Sequence, residues 1–310
     1  MSLLTEAPSL RLTSMHKALD MSPDCFGELR SSSDVIDDVA ELRARMEQDG
    51  YLFLPGYLDR AEVLAARQVM ADRLAERGYL DPAVPAIECK AHPDAKITFM
   101  PDLADQNPQL SRVIYDGRMM AFWERFLGGE VRHFDFTWVR AVAPGRGTPP
   151  HMDIVYMGRG TKQLYTAWTP LGDIPLHVGG LLVLEGSHRH ERLNNGYGAK
   201  DVDAFCENKV GPDYTRMGGG GNITDGGWLS KNPVKLRKNL GGRYLTANYR
   251  AGDLLVFSVF TVHTSLDNQS DQIRLSSDTR YQLASEPVDE RWIGEHPIGH
   301  GPQGKRGMIC

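Results

Sequence analysis

From residue 131 onward the chain breaks into short runs rich in Val, Thr, Phe, Tyr and Trp: "VRHFDFTWVRAV", "HMDIVYM", "QLYTAWTPL", "GGLLVLEG", "RYLTANY", "DLLVFSVFTVHT" and "QIRLSSDTRYQL". Turn residues separate them, and no helical period intervenes. Parallel strands need crossovers of a dozen or more residues, usually helical, so this series indicates an antiparallel sandwich or barrel. Upstream the period is that of helices. "SSSDVIDDVAELRARMEQDG" reads as a helix begun by Ser33 or Asp34 and stopped by Gly50. "YLFLPGYL" reads as a buried strand. "DRAEVLAARQVMADRLAERG" reads as a second helix: Asp59 and Glu62 have capping-box spacing, and Val63, Ala66, Val69, Met70 and Leu74 form its apolar stripe. A third helix is predicted from Pro108 to about Leu127, before Gly128 and Gly129. The predicted class is α+β: N-terminal helices buttressing a β-barrel in one domain over 34–290, with a loosely held arm at 1–33 and a C-terminal tail at 291–310.

Composition excludes several functions. The net charge of −5 leaves no strongly basic stripe, which argues against nucleic-acid or anionic-membrane partners. The longest apolar stretch, "LLVFSVFTV", is too short to span a bilayer. Cys25, Cys89, Cys206 and Cys310 are scattered and form no C-x-x-C pair, as expected of a chain in a reducing compartment. The first twenty residues lack the pattern of a signal peptide. The expectation is a cytoplasmic monomer or homodimer acting on a small molecule.

Residues 189–241 interrupt the strands with a polar, glycine-rich stretch containing "RMGGGGNITDGGW". No Lys-Ser/Thr follows the glycines, so a phosphate-cradling loop is disfavoured and a lid is expected. Lys209, Arg216, Asn222 and Lys231 within it are read first as solvated loop residues, with contact to an anionic group as the alternative.

Three His-x-Asp triplets occur: His92-Pro93-Asp94, His133-Phe134-Asp135 and His151-Met152-Asp153. Side chains two apart share a face only in extended structure. The first triplet looks like a turn. The second sits on a predicted strand, where an ordinary surface face is the plain reading. The third has support downstream. A mononuclear iron(II) site needs two neutral imidazoles and one carboxylate, with positions left open, and His263 ends an apolar strand that could supply the second imidazole. Taken alone, His263 reads better as a hydrogen-bonded structural residue. Eleven residues beyond it comes Arg274, on a strand expected to return beside that of His263. There Arg274, Ser276, Asp278 and Arg280 share one face, and an arginine on a barrel's inner face offers a two-pronged donor for a carboxylate.

The segments "GYLFLPGYL", "HMD", "AWTPL", "GGLLVLEGSH", "GDLLVFSVFTVHTS" and "IRLSSDTRYQ" occur in the order found in the phytanoyl-CoA dioxygenase family, which this chain resembles over about 35–285. The resemblance implies a double-stranded β-helix (a jelly-roll, cupin-like barrel) and an Fe(II)/2-oxoglutarate-dependent oxygenase. It implies His151, Asp153 and His263 as iron ligands and Arg274 as the clamp on the distal carboxylate of 2-oxoglutarate. Ser265 would be its hydroxyl partner, and Trp168 and Lys96 would flank the co-substrate. The plain readings are a barrel-core aromatic for Trp168 and a surface lysine for Lys96. Related halogenases carry a small residue where Asp153 stands, so the carboxylate argues for oxygenation with O2 over halogenation. Glu185 stands where the family usually has proline and reads as turn chemistry, with a reach to the pocket as the alternative. His188 and His190 read as turn or lid residues. Hydroxylation is the expected outcome, with succinate and CO2 released. Desaturation, epimerisation and ring formation use the same cofactors, and a non-catalytic cupin-like binding module is the competing class.

Overall fold

The structure, a computed structural model, describes residues 11–206 and 227–308. The strands are β1 (Thr13–Ser14), β2 (Lys17–Ala18), β3 (Phe26–Glu28), β4 (Tyr51–Leu54), β5 (Val131–His133), β6 (Trp138–Val142), β7 (Tyr165–Pro170), β8 (Leu181–Leu184), β9 (Ala204–Cys206), β10 (Tyr244–Thr246), β11 (Leu254–Ser258), β12 (His263–Ser265), β13 (Arg274–Leu283) and β14 (Arg306–Met308). Two sheets dominate, the larger antiparallel throughout and the smaller mixed through the parallel pair of β3 with β10. One runs β12-β8-β10-β3; the other runs β4-β11-β7-β13-β5, with β6 also paired to β13.

Alternation along the strands sorts residues between two environments. Trp168, Leu181, Val183, Leu245, Leu255 and Phe257, drawn from both sheets, form one apolar cluster between them. The opposite face of the larger sheet, with Ala141, Ala167, Val256 and Leu275, packs on the helices. Trp123 anchors that second core: it is fully buried and stacks on Tyr281 with ring centroids 4.8 Å apart.

The helices form where caps and stripes coincide. Asp59 accepts the amides of Ala61 and Glu62 at the start of helix Arg60–Glu76, which buries Val63, Ala66, Met70, Ala71 and Leu74. The first predicted helix begins later than expected. Residues 33–35 form a 3-10 turn, and Asp38 caps helix Val39–Asp49, which ends at Gly50 with φ 77. The third predicted helix is two, Pro108–Tyr115 and Gly117–Leu127. Asp116 between them is extended, and its carboxylate accepts the amide of Gly117, restarting the helix. Side-chain capping by an aspartate inside an apolar stripe thus broke a period that looked continuous.

The described parts of 1–33 and 291–310 are more integrated than an arm and a tail. Leu12 and Phe26 are buried, β3 pairs parallel with β10, and Asp267 accepts hydrogen bonds from Thr13 Oγ1 and from the amides of Met15 and His16. At the other end β14 pairs with β9. The buried Asp203 carboxylate there accepts from Arg291, Lys305 and His300, the last at 2.8 Å. These contacts join residues far apart in sequence, so no local pattern announces them. Within 189–241 the described residues include helices Glu191–Gly196 and Pro233–Leu240. Lys209, Arg216 and Asn222 lie outside the described residues, and Lys231 sits over the ring of Trp228. No described helix is long and apolar enough to cross a membrane.

Candidate metal centre and active site

The run "DLLVFSVFTVHT" is not one strand but two. β11 ends at Ser258, the chain turns, and β12 begins at His263 in the other sheet. The amide of Thr261 donates to Ser258 O within this turn. His151 then meets His263 in an isolated antiparallel bridge, each amide donating to the other's carbonyl at 3.0 Å. The predicted strand "HMDIVYM" stops there. Asp153 is already helical (φ −66, ψ −27), and Ile154–Met157 form one helical turn. A shared strand face is therefore not what aligns His151 with Asp153; the bridge fixes the histidine and the turn presents the carboxylate.

One ligand-type atom from each of His151, Asp153 and His263 lies within 4.8 Å of the other two. Both imidazole Nε2 atoms stand 3.7 Å from Asp153 Oδ1. The Nδ1 atoms face carbonyls, Pro149 O at 2.8 Å and Thr261 O at 3.1 Å. A carbonyl can only accept, so Nδ1 carries the proton and Nε2 keeps its lone pair toward the centre. The first of these carbonyls comes from the double proline, Pro149-Pro150. The second Asp153 oxygen, Oδ2, accepts from Thr166 Oγ1 at 2.6 Å and Arg280 Nη2 at 2.8 Å, which leaves Oδ1 for the centre.

The three groups are 1–5% exposed. Burial, reinforced by the neighbouring His263, holds His151 down to about 3, and burial lowers His263 as well. Both imidazoles are thus neutral near pH 7, the form that ligates metals. Burial alone would raise Asp153, but the permanent charge of Arg280, helped by the hydrogen bond from Thr166, outweighs it and keeps the carboxylate ionised. Two neutral imidazoles and one carboxylate are the donor set of a facial triad.

β13 does not return beside β12. It pairs with β7, β6 and β5 in the larger sheet, so Arg274 faces the smaller sheet across the sandwich. Sheet switching at 259–262 is what overturned the hairpin expectation. The expected face is preserved nonetheless: Arg280 reaches the triad, and Arg274 is 1% exposed. Arg274 Nη1 donates to Gly179 O at 3.0 Å, while its Nε and Nη2 are buried without a partner. Gly179 presents that carbonyl from a φ of +90 that side-chain-bearing residues rarely adopt. Burial lowers the Arg274 pKa to about 10, with the charge of Arg140 adding to the effect. It stays protonated near neutrality.

Trp168 lies two residues past Thr166 on the same face of β7. It is fully buried against Tyr249, with its Nε1 unpartnered. The hydroxyl of Ser276, two past Arg274, is also buried without a partner. Ser265 shares its strand with His263, and its hydroxyl accepts the Thr148 amide at 2.8 Å, leaving its own proton to donate. Lys96 is not gathered with these. It is exposed, and its neighbours Thr98 and Phe99 line the cavity over the triad instead.

The other triplets stay apart from this centre. His92 and Asp94 are on the surface, with side chains 42% and 91% exposed. Asp135 accepts the amide of Gly294, and the ring of His133 stacks on Tyr115. Asp135→Ala is expected to leave iron binding unchanged and to cost only about 1–2 kcal/mol for the lost hydrogen bond. Equilibrium dialysis against Fe(II) and a urea melt check the two halves of that prediction. Glu185 pairs with Arg243 through two hydrogen bonds of 2.7 and 2.9 Å, His188 contacts Glu47 O, and His190 caps the helix at 191–196. Only His190 acts locally; the partners of Glu185 and His188 lie 58 and 141 residues away in sequence.

Thr166 and Arg280 are the second layer of the centre. Their even spacing from Trp168 and Arg274 was the available signal, and Arg280 stood out by it. His16 and His300 also line the cavity, from opposite ends of the chain, and no sequence signal linked them to it.

Known proteins share this arrangement of sheets. The structure of EctD from S. alaskensis with 2-oxoglutarate and 5-hydroxyectoine is similar at TM-score 0.56, with 17% identity over 95% of each chain. The non-heme α-ketoglutarate-dependent epimerase SnoN from nogalamycin biosynthesis is similar at TM-score 0.54, with 21% identity over 86% of this chain and 95% of that one. At these identities the likeness is one of fold, the jelly roll of Fe/2-oxoglutarate oxygenases. In sequence, 1-deoxypentalenic acid 11-beta-hydroxylase of Streptomyces exfoliatus is 27% identical over 277 residues, which is 84% of this chain and 87% of that protein. The sequence profile described as Phytanoyl-CoA dioxygenase (PhyH) matches residues 46–276, taking in His151, Asp153, His263 and Arg274 together, and the chain belongs to that family.

Proposed function

We propose that the protein is a non-haem Fe(II)- and 2-oxoglutarate-dependent dioxygenase that hydroxylates an unactivated C–H bond of a small organic molecule. The observation that supports this most strongly is the pairing of the His151, Asp153 and His263 centre with a buried arginine, Arg274, that has two unpartnered donors facing the smaller sheet. A buried arginine left half-satisfied is costly unless an anion completes it, and the distal carboxylate of 2-oxoglutarate meets that need. The relative named for 11-beta-hydroxylation of 1-deoxypentalenic acid supports hydroxylation as the outcome.

In this reading His151, Asp153 and His263 hold Fe(II), and Arg274, Ser265 and Trp168 hold 2-oxoglutarate. Iron(II) with 2-oxoglutarate and dioxygen supplies the oxidising power for C–H attack, with succinate and CO2 released. The residues of the chain do the rest. Pro149 O and Thr261 O fix the imidazole tautomers. Thr166 and Arg280 turn Asp153 so that Oδ1 alone faces inward. Trp138 covers Arg280 at 4.2 Å and keeps water from that ion pair. A cavity of about 550 Å³ opens above, within the range of small-molecule sites.

The test is oxygen uptake and succinate release by the Fe(II)-loaded protein across a panel of small organic substrates, with product masses. Release that requires both iron and 2-oxoglutarate, with a product 16 mass units heavier, is expected. Release independent of iron, or loss of two mass units in place of the gain, would overturn the assignment or its outcome respectively.

A further inference from the structure

We infer that the substrate is an organic acid whose carboxylate is read by Arg140, with its apolar body against Phe99 and Trp138. The inference rests on the oxygenase reading above and names the substrate class of the same site.

The cavity over the triad has a marked charge imbalance. Three guanidinium groups line it, from Arg140, Arg146 and Arg280, against two carboxylates. Both carboxylates are committed. Asp153 faces the centre and Arg280; Asp267 accepts from Thr13 and from the amides of Met15 and His16. Arg280 is 2% exposed: its Nη2 is bonded to Asp153, and its Nε and Nη1 are unpartnered but buried, with the guanidinium against the Trp138 ring. Arg146, exposed at the rim, makes no side-chain ion pair or hydrogen bond with the described residues.

Arg140 is the placed group. It sits on β6 two residues past Trp138, opposite Ser276 of β13. Its Nε donates to the buried Asp278 at 3.1 Å, its only ion pair among the described residues. The tether holds the side chain along the cavity wall and leaves the Nη1/Nη2 end to the cavity, where the side chain is 21% exposed. Two parallel N–H donors held by a second carboxylate suit an incoming carboxylate end-on.

The apolar half of the ligand has its own surface. Phe99 is the most exposed large hydrophobic residue among those described, at 45%, and it lines this cavity with the guanidinium of Arg140 5.8 Å from its ring centre. Trp138, Met157 and Trp228 continue the wall. An exposed aromatic beside a tethered arginine is a surface for a molecule with a carboxylate at one end and hydrocarbon at the other. The cavity, about 550 Å³, is of a size for the free acid. An acyl-CoA would put its charges outside and leave Arg140 facing a neutral thioester.

The test uses Fe(II)-loaded full-length protein held anaerobic with 2-oxoglutarate, so that nothing turns over. Calorimetric titrations compare adamantane-1-carboxylate, naphthalene-2-carboxylate and decanoate with their primary amides, and decanoate with decanoyl-CoA. At least one acid is expected to bind tenfold or more tighter than its amide, the gain typical of charge-assisted hydrogen bonds (about tenfold to a hundredfold). In Arg140→Gln that preference is expected to fall below about threefold, with 2-oxoglutarate affinity held within about twofold. Arg140→Lys keeps the charge on Asp278 but not the paired donors, and is expected to lose most of the preference; it decides the matter if the glutamine variant does not fold. The inference is overturned if no acid outbinds its amide, if the preference survives both variants, if decanoyl-CoA binds tighter than decanoate, or if 2-oxoglutarate affinity falls in step with that for the acid. Absence of 2-oxoglutarate binding in the wild type would count against the oxygenase reading alone, since the acid–amide comparison does not need the co-substrate.

Discussion

Asp153→Ala is expected to yield a protein that retains no iron, releases no succinate and is less stable than the wild type even before metal is added. The two losses have different causes. Partners in the second layer of a metal site are typically worth 10–100-fold in affinity, so removal of a ligand is expected to cost more than about 100-fold. The stability loss comes from Arg280, which is 2% exposed and whose one ion pair among the described residues is with Asp153. Stranding a buried charge costs about 3–5 kcal/mol. Iron content after desalting and the midpoint of a denaturant melt read the two effects separately. Unchanged iron content would remove Asp153 from the centre; lost iron with unchanged stability would mean that Arg280 finds another partner.

Arg274→Met is expected to act in the opposite sense on stability. The substitution removes a buried cation that uses only one of its donors, on Gly179 O, and replaces it with an apolar chain of similar length. Such replacements are often neutral or stabilising by about 1–4 kcal/mol in the unliganded protein. Binding of 2-oxoglutarate is expected to weaken by about 2–5 kcal/mol, roughly 30-fold to several thousand-fold, because the distal carboxylate loses its buried partner. Iron binding is expected to stay within a few-fold of wild type. The KM for 2-oxoglutarate and the thermal midpoint of the metal-free protein are the readouts. A fall in stability with co-substrate affinity intact would make Arg274 a structural residue.

The contrast between these two residues also shows what a linear sequence conveys. The triad was legible because metal chemistry restricts the residue types, and because His151-x-Asp153, His263 and Arg274 keep an order that few other functions need. The inner face of β13 was legible from alternation alone: Arg274, Ser276, Asp278 and Arg280 fall on one side whatever the partner strand. The partner itself was not legible. The run from Leu254 to Val262 is broken only by Ser258 and Thr261, too little to announce that the chain leaves one sheet for the other at residue 259, and that switch moves β13 from beside His263 to across from it. The break at Asp116 was hidden for a similar reason, since a capping aspartate and an exposed helical one look alike until the backbone is seen. Lys96 followed the family's order of residues but is exposed, where its neighbours Thr98 and Phe99 face the cavity. The segments 1–33 and 291–310 were read as loose because the partners of their described residues, Asp267 for the first hairpin and Asp203 for the last strand, lie 254 and 102 residues away.

The account stands on one joint claim, that His151, Asp153 and His263 bind iron in a site that also chelates 2-oxoglutarate. Anaerobic titration of the metal-free protein with Fe(II) and then 2-oxoglutarate, followed by visible absorption, tests it directly. The account predicts a charge-transfer band that needs both additions, saturates at one iron per chain, disappears in Asp153→Ala and persists in Asp135→Ala. In Arg274→Met the band is expected only at far higher 2-oxoglutarate. No band in the wild type, or a band lost with Asp135 and kept without Asp153, would contradict it.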